Sequence, residues 1–294
     1  MVCLSASSAF EVLVRAGELV GIDVSGAELI RDGSNVLYRL PGEMVARVGP
    51  AGSLDRAAKE VRVSHWLAAC GVPAVTAAGF RQPVEIGSRP VTFWSELPPH
   101  RPATAGELGA VLRKLHALPA PNDITLPALK PFDGMAERID DAAFLPPEDR
   151  EFLRHRLAQL KEQWRHLPPG LPPCVVHGDA WQGNVAVCDR QQPLLLDLEH
   201  VSWGRPEWDL VPLAVDVTRF DRIPECEYQA LVSAYGYDVT HWAGFDNLAD
   251  ISELRWTLFV TSKSDRNPAA RREAEHRLRC LRGHVPRPWS WSPF

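Results

Sequence analysis

The sequence has no long apolar run, no paired cysteine motif and no excess of basic charge. No stretch approaches the roughly 20 apolar residues that cross a bilayer, and the N-terminus lacks the basic segment of a secretory signal. The six cysteines are scattered without a CxxC pair or a Cys/His zinc spacing, which favours reduced thiols. A formal net charge of -5 and a pI near 6.1 argue against a surface built for nucleic acid or an anionic membrane. We therefore expect a cytoplasmic protein that binds neither nucleic acid nor membranes.

The composition is that of an ordinary globular protein, and the pattern of apolar residues changes along the chain. Of the 294 residues, 45% are hydrophobic and 23% are charged. Up to Leu97, alternating apolar positions predict an antiparallel sheet, and residues 54–70 predict one helix against it. Beyond the break PPHRP the spacing is mostly helical, and Thr104 with Glu107 matches a capping box. The sequence thus predicts an N-terminal part, residues 1–97, and a mainly helical part, residues 98–294.

Residues 174–210 concentrate carboxylate and amide side chains between short apolar runs. Asp179 follows the run CVVHG, Asn184 comes five positions later, and Asp197 ends the run LLL. An Asp on a loop, an Asn at the exit of that loop and an Asp at the end of the next strand could converge in one small volume. These oxygen ligands are the type that a magnesium nucleotide needs.

Two features of the N-terminal part could serve a nucleotide. Gly33, Ser34 and Asn35 form a turn that could offer backbone N–H groups to phosphates, although a plain hairpin turn has the same composition. Arg47 lies on the next predicted strand and Glu60 on the following helix. If that helix packs on the hairpin, Glu60 could reach Arg47.

A predicted helix over residues 246–262 carries Asp246, Asp250 and Glu253 on one face. Like charges at this spacing repel, and a cationic ligand such as a polyamine or aminoglycoside would relieve the repulsion. An exposed acidic face explains the same pattern. Both interpretations stay open at the level of sequence.

The order of these motifs resembles that of the aminoglycoside phosphotransferase family, which comprises small-molecule kinases. HGDAWQGN fits the HGDxxxxN catalytic loop of the family without a gap, and LLLDLE fits its metal-binding strand end. GSN, Arg47, Glu60, WSEL and LRKLH precede them in the order of the family. The resemblance implies an α+β, two-lobe protein kinase-like fold. In this fold an N-terminal lobe of antiparallel sheet plus helix binds the nucleotide, and a mainly helical C-terminal lobe carries the catalytic loop, the metal site and the acceptor site.

The resemblance also implies roles for single residues. Asp179 would be the catalytic base, and Asn184 and Asp197 would hold Mg²⁺. His177 and Asp209 would support the loop, while the position of Asp209 before an apolar helix also predicts an N-cap. The nucleotide-binding set implied in this way comprises Gly33, Ser34, Asn35, Arg47, Glu60, Trp94, Ser95, Glu96 and Leu97. The candidate acceptor-binding set comprises Glu199, Asp246, Asp250 and Glu253.

The chain departs from the family at two points. Arg47 stands where many kinases have a lysine, and its planar guanidinium keeps the charge with a different geometry. The nucleotide loop has one glycine, so its cover over the phosphates would be made by Ser34 and Asn35.

The expected function is that of a phosphotransferase. With ATP or GTP as co-substrate and Mg²⁺ as cofactor, it would move the γ-phosphate to a hydroxyl of a small molecule, an aminoglycoside or another antibiotic, as in antibiotic resistance. A metabolic kinase for a sugar, amino alcohol, homoserine or choline-type acceptor is the alternative within the same chemistry. A catalytically quiet nucleotide-binding module is an alternative of another class, against which the complete set of Asp179, Asn184 and Asp197 argues. A metal-dependent hydrolase would need further metal ligands.

Overall fold

The computed structural model of the protein describes residues 6–189, 192–265 and 267–294. Helices and short strands are both present, so the fold is α+β as predicted. In chain order the elements are α1 (Ala6–Val20), β1 (Glu28–Asp32), β2 (Val36–Leu40), β3 (Met44–Val48), α2 (Leu54–Ala69), β4 (Val84–Ile86), β5 (Arg89–Ser95), β6 (His100–Pro102), α3 (Ala105–His116), α4 (Met135–Asp140), α5 (Pro147–Arg165), β7 (Cys174–Val176), β8 (Val185–Cys188), β9 (Leu194–Leu195), β10 (Ser202–Gly204), α6 (Glu207–Thr218), α7 (Glu225–Tyr235), α8 (Phe245–Thr261) and α9 (Pro268–Leu281).

The described residues fall into two compact units. Unit 1 is drawn from Met1–Ala103, Leu118–Leu126 and Gln182–Val201, and unit 2 from Thr104–Ala117, Pro127–Trp181 and Ser202–Phe294. This grouping follows packing and not chain order, so it differs from a single division after Leu97. The segment that carries Asn184 and Asp197 belongs to unit 1, whereas the segment that carries Asp179 belongs to unit 2.

Unit 1 is built on a five-stranded antiparallel sheet in the order β1-β2-β3-β5-β4. Side chains alternate between the two faces of a strand, and here each face has its own cover. Ala46 and Val48 of β3 and Phe93 of β5 are buried in one core with Ala9 and Leu13 of α1. The opposite face packs with α2, where Val61 contacts Trp94. The predicted helix over residues 54–70 is confirmed and ends one residue earlier, at Ala69.

The break predicted at PPHRP contains a short strand. Residues His100–Pro102 form β6, which lies at the edge of a small sheet in the order β6-β8-β9. The partner strand β8 lies more than eighty residues later in the chain, so local composition gave no signal of the pairing. Pro102 is tolerated because an edge strand has one side without ladder bonds.

Unit 2 contains α3 to α9 and the antiparallel pair of β7 and β10. The capping box is confirmed, because the Glu107 N–H donates to the Thr104 hydroxyl and the Thr104 N–H donates to the Glu107 carboxylate. The predicted N-cap at Asp209 is wrong. Helix α6 begins at Glu207, after Pro206, whose fixed φ suits a helix start, and Asp209 therefore lies inside the first turn.

Three further expectations concern the surface and the tail. The five cysteines in the described ranges are free, while Cys3 lies outside the described residues. Among the helices that the structure describes, none is long and apolar enough to cross a membrane. Trp289 and Trp291 in the proline-rich tail are each 5% exposed, so the expected docking of this tail on the core is confirmed.

Candidate active site

A pocket in unit 1 collects most of the side chains predicted to bind phosphate. Ser34, Asn35, Arg47 and Glu60 line it together with Glu199. The residues come from the β1–β2 turn, β3, α2 and the segment after β9. Chain segments that lie far apart in sequence thus contribute polar groups to one wall of unit 1.

Arg47 and Glu60 form the ion pair that the sequence suggested. Nη1 of Arg47 lies 2.7 and 2.6 Å from the two carboxylate oxygens of Glu60. The alternation of β3 directs Arg47 away from the α1 face, and its guanidinium Cζ lies 5.3 Å from the ring centroid of Trp94. Nε and Nη2 of Arg47 make no hydrogen bond to the residues described, so both can donate to a ligand. The ion pair therefore fixes the guanidinium of Arg47 and leaves Nε and Nη2 available as donors.

Glu60 is a buried carboxyl whose pKa is shifted by burial and by neighbouring charges. Burial raises the pKa of the Glu60 carboxyl, the Arg47 ion pair opposes this shift, and the charges of Asp197 and Glu199 raise the pKa further. The Glu60 side chain is only 4% exposed. A bound cation near these carboxylates would relieve the repulsion.

The turn before β2 contributes two of its three predicted residues. Ser34 and Asn35 line the pocket, whereas Gly33 does not. Gly33 has an ordinary negative φ, and a Cβ added to it would meet the Arg31 side chain at a comfortable 3.5 Å. The glycine is therefore not required by the backbone of this turn.

The segment predicted to bind adenine offers fewer donors than expected. The Ser95 N–H donates to the Thr76 carbonyl at 2.9 Å, and the Glu96 N–H donates to the Glu43 carbonyl at 2.7 Å. Trp94 is buried within the sheet. Within the described ranges the Leu97 N–H has no hydrogen-bond partner, so a base would be recognised at Leu97 and not along the whole segment.

Asn184 and Asp197 are brought together in unit 1 by one backbone bond. The Leu196 N–H donates to the Asn184 carbonyl at 2.9 Å, which places the residue before Asp197 beside Asn184. Asp197 has a left-handed backbone with φ 49°, a conformation that costs a non-glycine residue energy and occurs often at functional sites. No group of three or more His, Cys, Asp or Glu side chains is arranged for a metal in the part of the chain that the structure describes. The donor set at this point is one carboxylate and one amide, oxygen ligands that fit a hard cation sharing its remaining positions with phosphate and water.

Glu199, which was predicted to bind the acceptor, lines the same pocket of unit 1 as Arg47 and Glu60. Its carboxylate lies 2.6 Å from Nη1 of Arg56, and its carbonyl accepts a hydrogen bond from Lys59. Lys59 also donates to the Val201 carbonyl at 3.1 Å. Arg56 and Lys59 were not identified from the sequence. Their spacing of one helical turn on α2, beside Glu60, is the signal that could have found them.

The loop that carries Asp179 is held from below by Asp209. One carboxylate oxygen of Asp209 accepts the His177 N–H at 2.6 Å, and the other accepts the Gly178 N–H at 2.8 Å. Trp208 donates its indole N–H to the Gly178 carbonyl at 3.0 Å. Gly178 has φ 85°, which a side chain would oppose. Asp209 and His177 are buried while Asp179 is exposed, so the carboxylate of Asp209 holds the backbone that leads to Asp179 from the interior of unit 2.

His116 completes this support at the end of α3. Its Nδ1 lies 2.8 Å from the Tyr235 hydroxyl, and its Nε2 lies 3.0 Å from Asp209. Burial raises the pKa of the Tyr235 hydroxyl far above its ordinary value. Because a carboxylate oxygen only accepts, Nε2 of His116 carries the proton of the hydrogen bond to Asp209. His116 is thus a structural residue, as a lone histidine at a helix end usually is.

The acidic face of α8 is paired inside the protein. Arg219 lies 2.6 Å from Asp246, 2.7 Å from Asp250 and 3.1 Å from Glu253. Arg156 and Arg287 add further ion pairs to Asp250 and Glu253. The repulsion that suggested a cationic ligand is relieved by these arginines. The alternative of an exposed face holds for Asp246, whose side chain is 83% exposed, but not for Glu253, which is only 2% exposed.

Arg255 on α8 is a further charged residue near the catalytic loop that the sequence did not reveal. Its guanidinium Cζ lies 4.9 Å from the ring centroid of Trp208, the residue that donates to Gly178. Arg255 also interacts electrostatically with Asp179. Because Trp208 and Arg255 are 47 positions apart, no local pattern marks the pair.

The sequence was compared with family profiles and with curated proteins. A family profile described as "APH: Phosphotransferase enzyme family" matches residues 27–251. No curated protein sequence matched the chain.

Several solved structures share the fold at low identity. One is an amicoumacin kinase, hAmiN, in complex with AMP-PNP, Ca2+ and Ami; it is 13% identical, with a TM-score of 0.69 over 94% of this chain and 96% of the other. A second is the GDP and kanamycin complex of APH(2")-IIia, at 16% identity and a TM-score of 0.64 over 92% and 98%. A third is the choline kinase LicA from Streptococcus pneumoniae, at 16% identity and a TM-score of 0.64 over 92% and 99%. The fold thus occurs in proteins named for different acceptors.

Proposed function

Because the chain belongs to the phosphotransferase enzyme family that matches most of its length, we propose that it transfers the γ-phosphate of ATP or GTP to a hydroxyl group of a small molecule, with Asp179 as the catalytic base. The observation that carries this function is the construction of the loop around Asp179. Buried Asp209 fixes the backbone of His177 and Gly178, while the Asp179 carboxylate remains exposed. A braced loop that presents one exposed carboxylate suits a group that must meet a substrate hydroxyl.

The reaction follows from the position of this carboxylate. Asp179 accepts the proton of the acceptor hydroxyl as the oxygen attacks the γ-phosphorus. The new bond joins the acceptor oxygen to phosphorus, and the bond between phosphorus and the β,γ-bridging oxygen breaks. The nucleoside diphosphate leaves with the electron pair of that bond. Little covalent work is asked of the protein, which must orient both substrates.

Arg47 and Leu97 would hold the nucleotide. Glu60 anchors one nitrogen of Arg47, and Nε with Nη2 remain to donate to phosphate oxygens. Ser34 and Asn35 line the same pocket and would cover the phosphates from the turn. The Leu97 N–H would contact the base, which is a backbone contact and so compatible with adenine or guanine.

Asn184 and Asp197 would hold Mg²⁺, since one amide and one carboxylate oxygen suit a hard divalent cation, and the charges of Asp197 and Glu199 already act on Glu60. When bound, this ion neutralises charge on the β- and γ-phosphates. The left-handed backbone of Asp197 supports the assignment, because such strain persists where the side chain must be aimed.

The acceptor is the part of this function that family membership leaves open. The structural relatives carry the names of amicoumacin, kanamycin and choline among their ligands or substrates. An antibiotic-modifying enzyme and a metabolic kinase would use the same residues of this chain. A cytoplasmic location, where nucleotides are available and thiols stay reduced, fits both.

The function is tested by an acceptor screen with ATP and with GTP. Hydroxyl compounds of differing charge and size are incubated with the protein and magnesium, and products are examined for the mass gain of one phosphoryl group. We expect at least one acceptor to gain a phosphoryl group with loss of one nucleoside triphosphate. A protein that binds neither nucleotide by calorimetry would contradict the proposed function.

A further inference from the structure

The arginines packed around α8 fall into two classes. Arg219 is satisfied by three carboxylates of α8. Arg255, on α8 itself, makes no hydrogen bond or ion pair with any residue of the described ranges. Its guanidinium makes a cation–π contact with the ring of Trp208. Arg138 on α4 likewise has no such partner among the residues described. The two unpaired guanidiniums are close enough that each feels the charge of the other.

Arg255 lies beside the catalytic loop. Its guanidinium stacks on Trp208, and Trp208 in turn donates to the carbonyl of Gly178, the residue before Asp179. Arg255 interacts electrostatically with Asp179 without lying within ion-pair distance of it. The position therefore places a positive charge next to the proposed base and leaves its N–H donors unused.

An unpaired guanidinium in a partly buried position has a cost. Burial lowers the pKa of Arg255, Asp179 acts in the opposite direction, and the charge of Arg138 lowers the pKa further. The nitrogens of Arg255 are not among the buried side-chain atoms that lack a hydrogen-bond partner, so its N–H donors can be reached from solvent. A ligand with an anionic group would supply the missing partner, and a planar carboxylate or a phosphate matches the fork of the side chain.

The pairing of the carboxylates in unit 2 argues against a cationic acceptor. The carboxylates that could attract a cationic acceptor, Asp246, Asp250 and Glu253, are consumed by arginines of the protein. Arg255 remains as an unpaired positive charge that interacts with Asp179, and Arg138 is a second positive charge that interacts with Arg255. A cationic acceptor would be repelled where its hydroxyl has to approach.

We propose that the acceptor is a hydroxyl compound that also carries an anionic group, a carboxylate or a phosphate ester, bound by Arg255 with additional attraction from Arg138. This assignment rests on the proposed phosphotransferase function and names the chemical class of its second substrate. Arg255 would bind the anionic group and so bring the hydroxyl to Asp179. The specificity of the enzyme would then be set by charge.

The test uses acceptors that differ only in charge. Hydroxycarboxylates such as glycerate, gluconate and homoserine are compared with their primary amides, sugar phosphates with the free sugars, and choline and kanamycin serve as cationic acceptors. For the parent protein we expect kcat/KM to be about tenfold or more higher for the anionic member of a productive pair. In Arg255→Gln the preference should be lost, mainly through a higher acceptor KM, while the KM for the nucleotide stays unchanged. Arg255→Lys should retain part of the preference because it keeps the charge without the fork.

A matched control is Arg272→Gln, the same change at an exposed position of α9. It should leave the preference intact. The melting temperature of each variant shows whether it is folded, and Arg255→Lys carries the test if Arg255→Gln is not. If no compound in the panel is phosphorylated, thermal stabilisation by the same pairs in the presence of AMP-PNP and magnesium decides: selective stabilisation by the anions, lost in the Arg255 variants, supports the assignment, and its absence overturns it.

The outcomes separate this assignment from the function on which it rests. Preferred phosphorylation of neutral or cationic acceptors, or an anionic preference unchanged in Arg255→Gln, overturns the anionic class and leaves the phosphotransferase intact. Failure to bind any nucleotide removes both.

Discussion

The loop around Asp179 and the pocket around Arg47 differ in whether their polar groups find partners inside the protein. In the loop, the buried carboxylate of Asp209 has all its hydrogen-bond partners, two backbone N–H groups and His116, within unit 2. In the pocket, the charges of Asp197 and Glu199 raise the pKa of Glu60, and Nε and Nη2 of Arg47 have no partner among the described residues. The carboxylate that builds the first region is satisfied without a ligand, whereas the second region keeps donors that a ligand can use.

This difference predicts which substitutions should lower the free energy of unfolding and which should lower the affinity for a ligand. A residue whose partners are all inside the protein contributes to folding, because its loss leaves buried donors unpaired. A residue held against like charge, or with donors left over, contributes to binding and can be neutral or unfavourable for folding. Four substitutions test this distinction.

The largest expected effect is that of Asp209→Ala. It leaves the N–H groups of His177 and Gly178 and the Nε2–H of His116 without an acceptor, and we expect a loss of about 3–5 kcal/mol in the free energy of unfolding. Denaturant unfolding without nucleotide measures it. Asp209→Asn keeps one acceptor and should lose clearly less. A loss below about 1 kcal/mol in the alanine variant would show that the loop is not braced as described.

Asp197→Ala should act on affinity instead. Because it removes a proposed ligand of Mg²⁺, we expect the magnesium-dependent part of ATP affinity to fall about tenfold to hundredfold. Stability should change little, because the loss of a charge that raises the pKa of Glu60 offsets the poorer fit of alanine to φ 49°. Calorimetric titration of ATP with magnesium and with EDTA gives both values. Asp189→Ala, at an exposed position nearby in sequence, is the control. An equal magnesium dependence in Asp197→Ala and the parent would refute the metal assignment.

Glu60→Gln should separate stability from affinity most clearly. Because the folded-state pKa of Glu60 is raised above its ordinary value of 4.5, the stability linked to its proton is present below that value and is lost as the pH rises through the raised folded pKa. The glutamine variant should therefore match the parent at low pH and become more stable than the parent at neutral pH, measured in EDTA. At neutral pH its ATP affinity should fall about tenfold, since Arg47 loses its anchor.

Glu85→Gln, on the exposed side of β4, is the control for this comparison. A Glu60→Gln protein that is less stable than the parent at every pH would mean that the ion pair with Arg47 stabilises the fold. The contrast between loop and pocket would then be lost.

The smallest effect is expected for Gly33→Ala. An added Cβ meets only the Arg31 side chain at 3.5 Å and the Asn35 carbonyl at 3.7 Å, so stability should change by less than about 0.5 kcal/mol and ATP affinity should be unchanged. Gly49→Ala is the matched contrast, because its Cβ would lie 2.9 Å from Pro90 and 3.0 Å from the Ser53 hydroxyl. A loss of about 1–3 kcal/mol is expected there. Equal effects at the two glycines would contradict the account of the turn.

The ion pair of Arg47 and Glu60 and the loop around Asp179 were within reach of the sequence. The period of β3 and α2 fixes which side chains share a face, and the spacing HGDxxxxN marks the loop. The pairs that the sequence missed join elements far apart in the chain. Arg219 meets Glu253 from 34 positions away, so the acidic face of α8 carries internal ion pairs that its own sequence does not show.

Local patterns also failed where backbone groups decide. The segment 94–97 was expected to bind a base by its main chain, but bonds from Ser95 and Glu96 to Thr76 and Glu43 consume two of its donors. Main-chain pairing leaves no mark on side-chain composition. The N-cap assigned to Asp209 failed because Pro206 starts α6 earlier, and the carboxylate is thereby released for the loop.

The central claim is that Asp179 takes a proton during phosphoryl transfer, and a single-turnover comparison of Asp179→Asn with the parent tests it most directly. With an acceptor found in the screen, both proteins are saturated with ATP and magnesium, and the rate of phosphoryl transfer is followed by rapid quench. We predict the same ATP affinity and a transfer rate lower by about a hundredfold to ten-thousandfold in the variant. Transfer at the parental rate would contradict the claim.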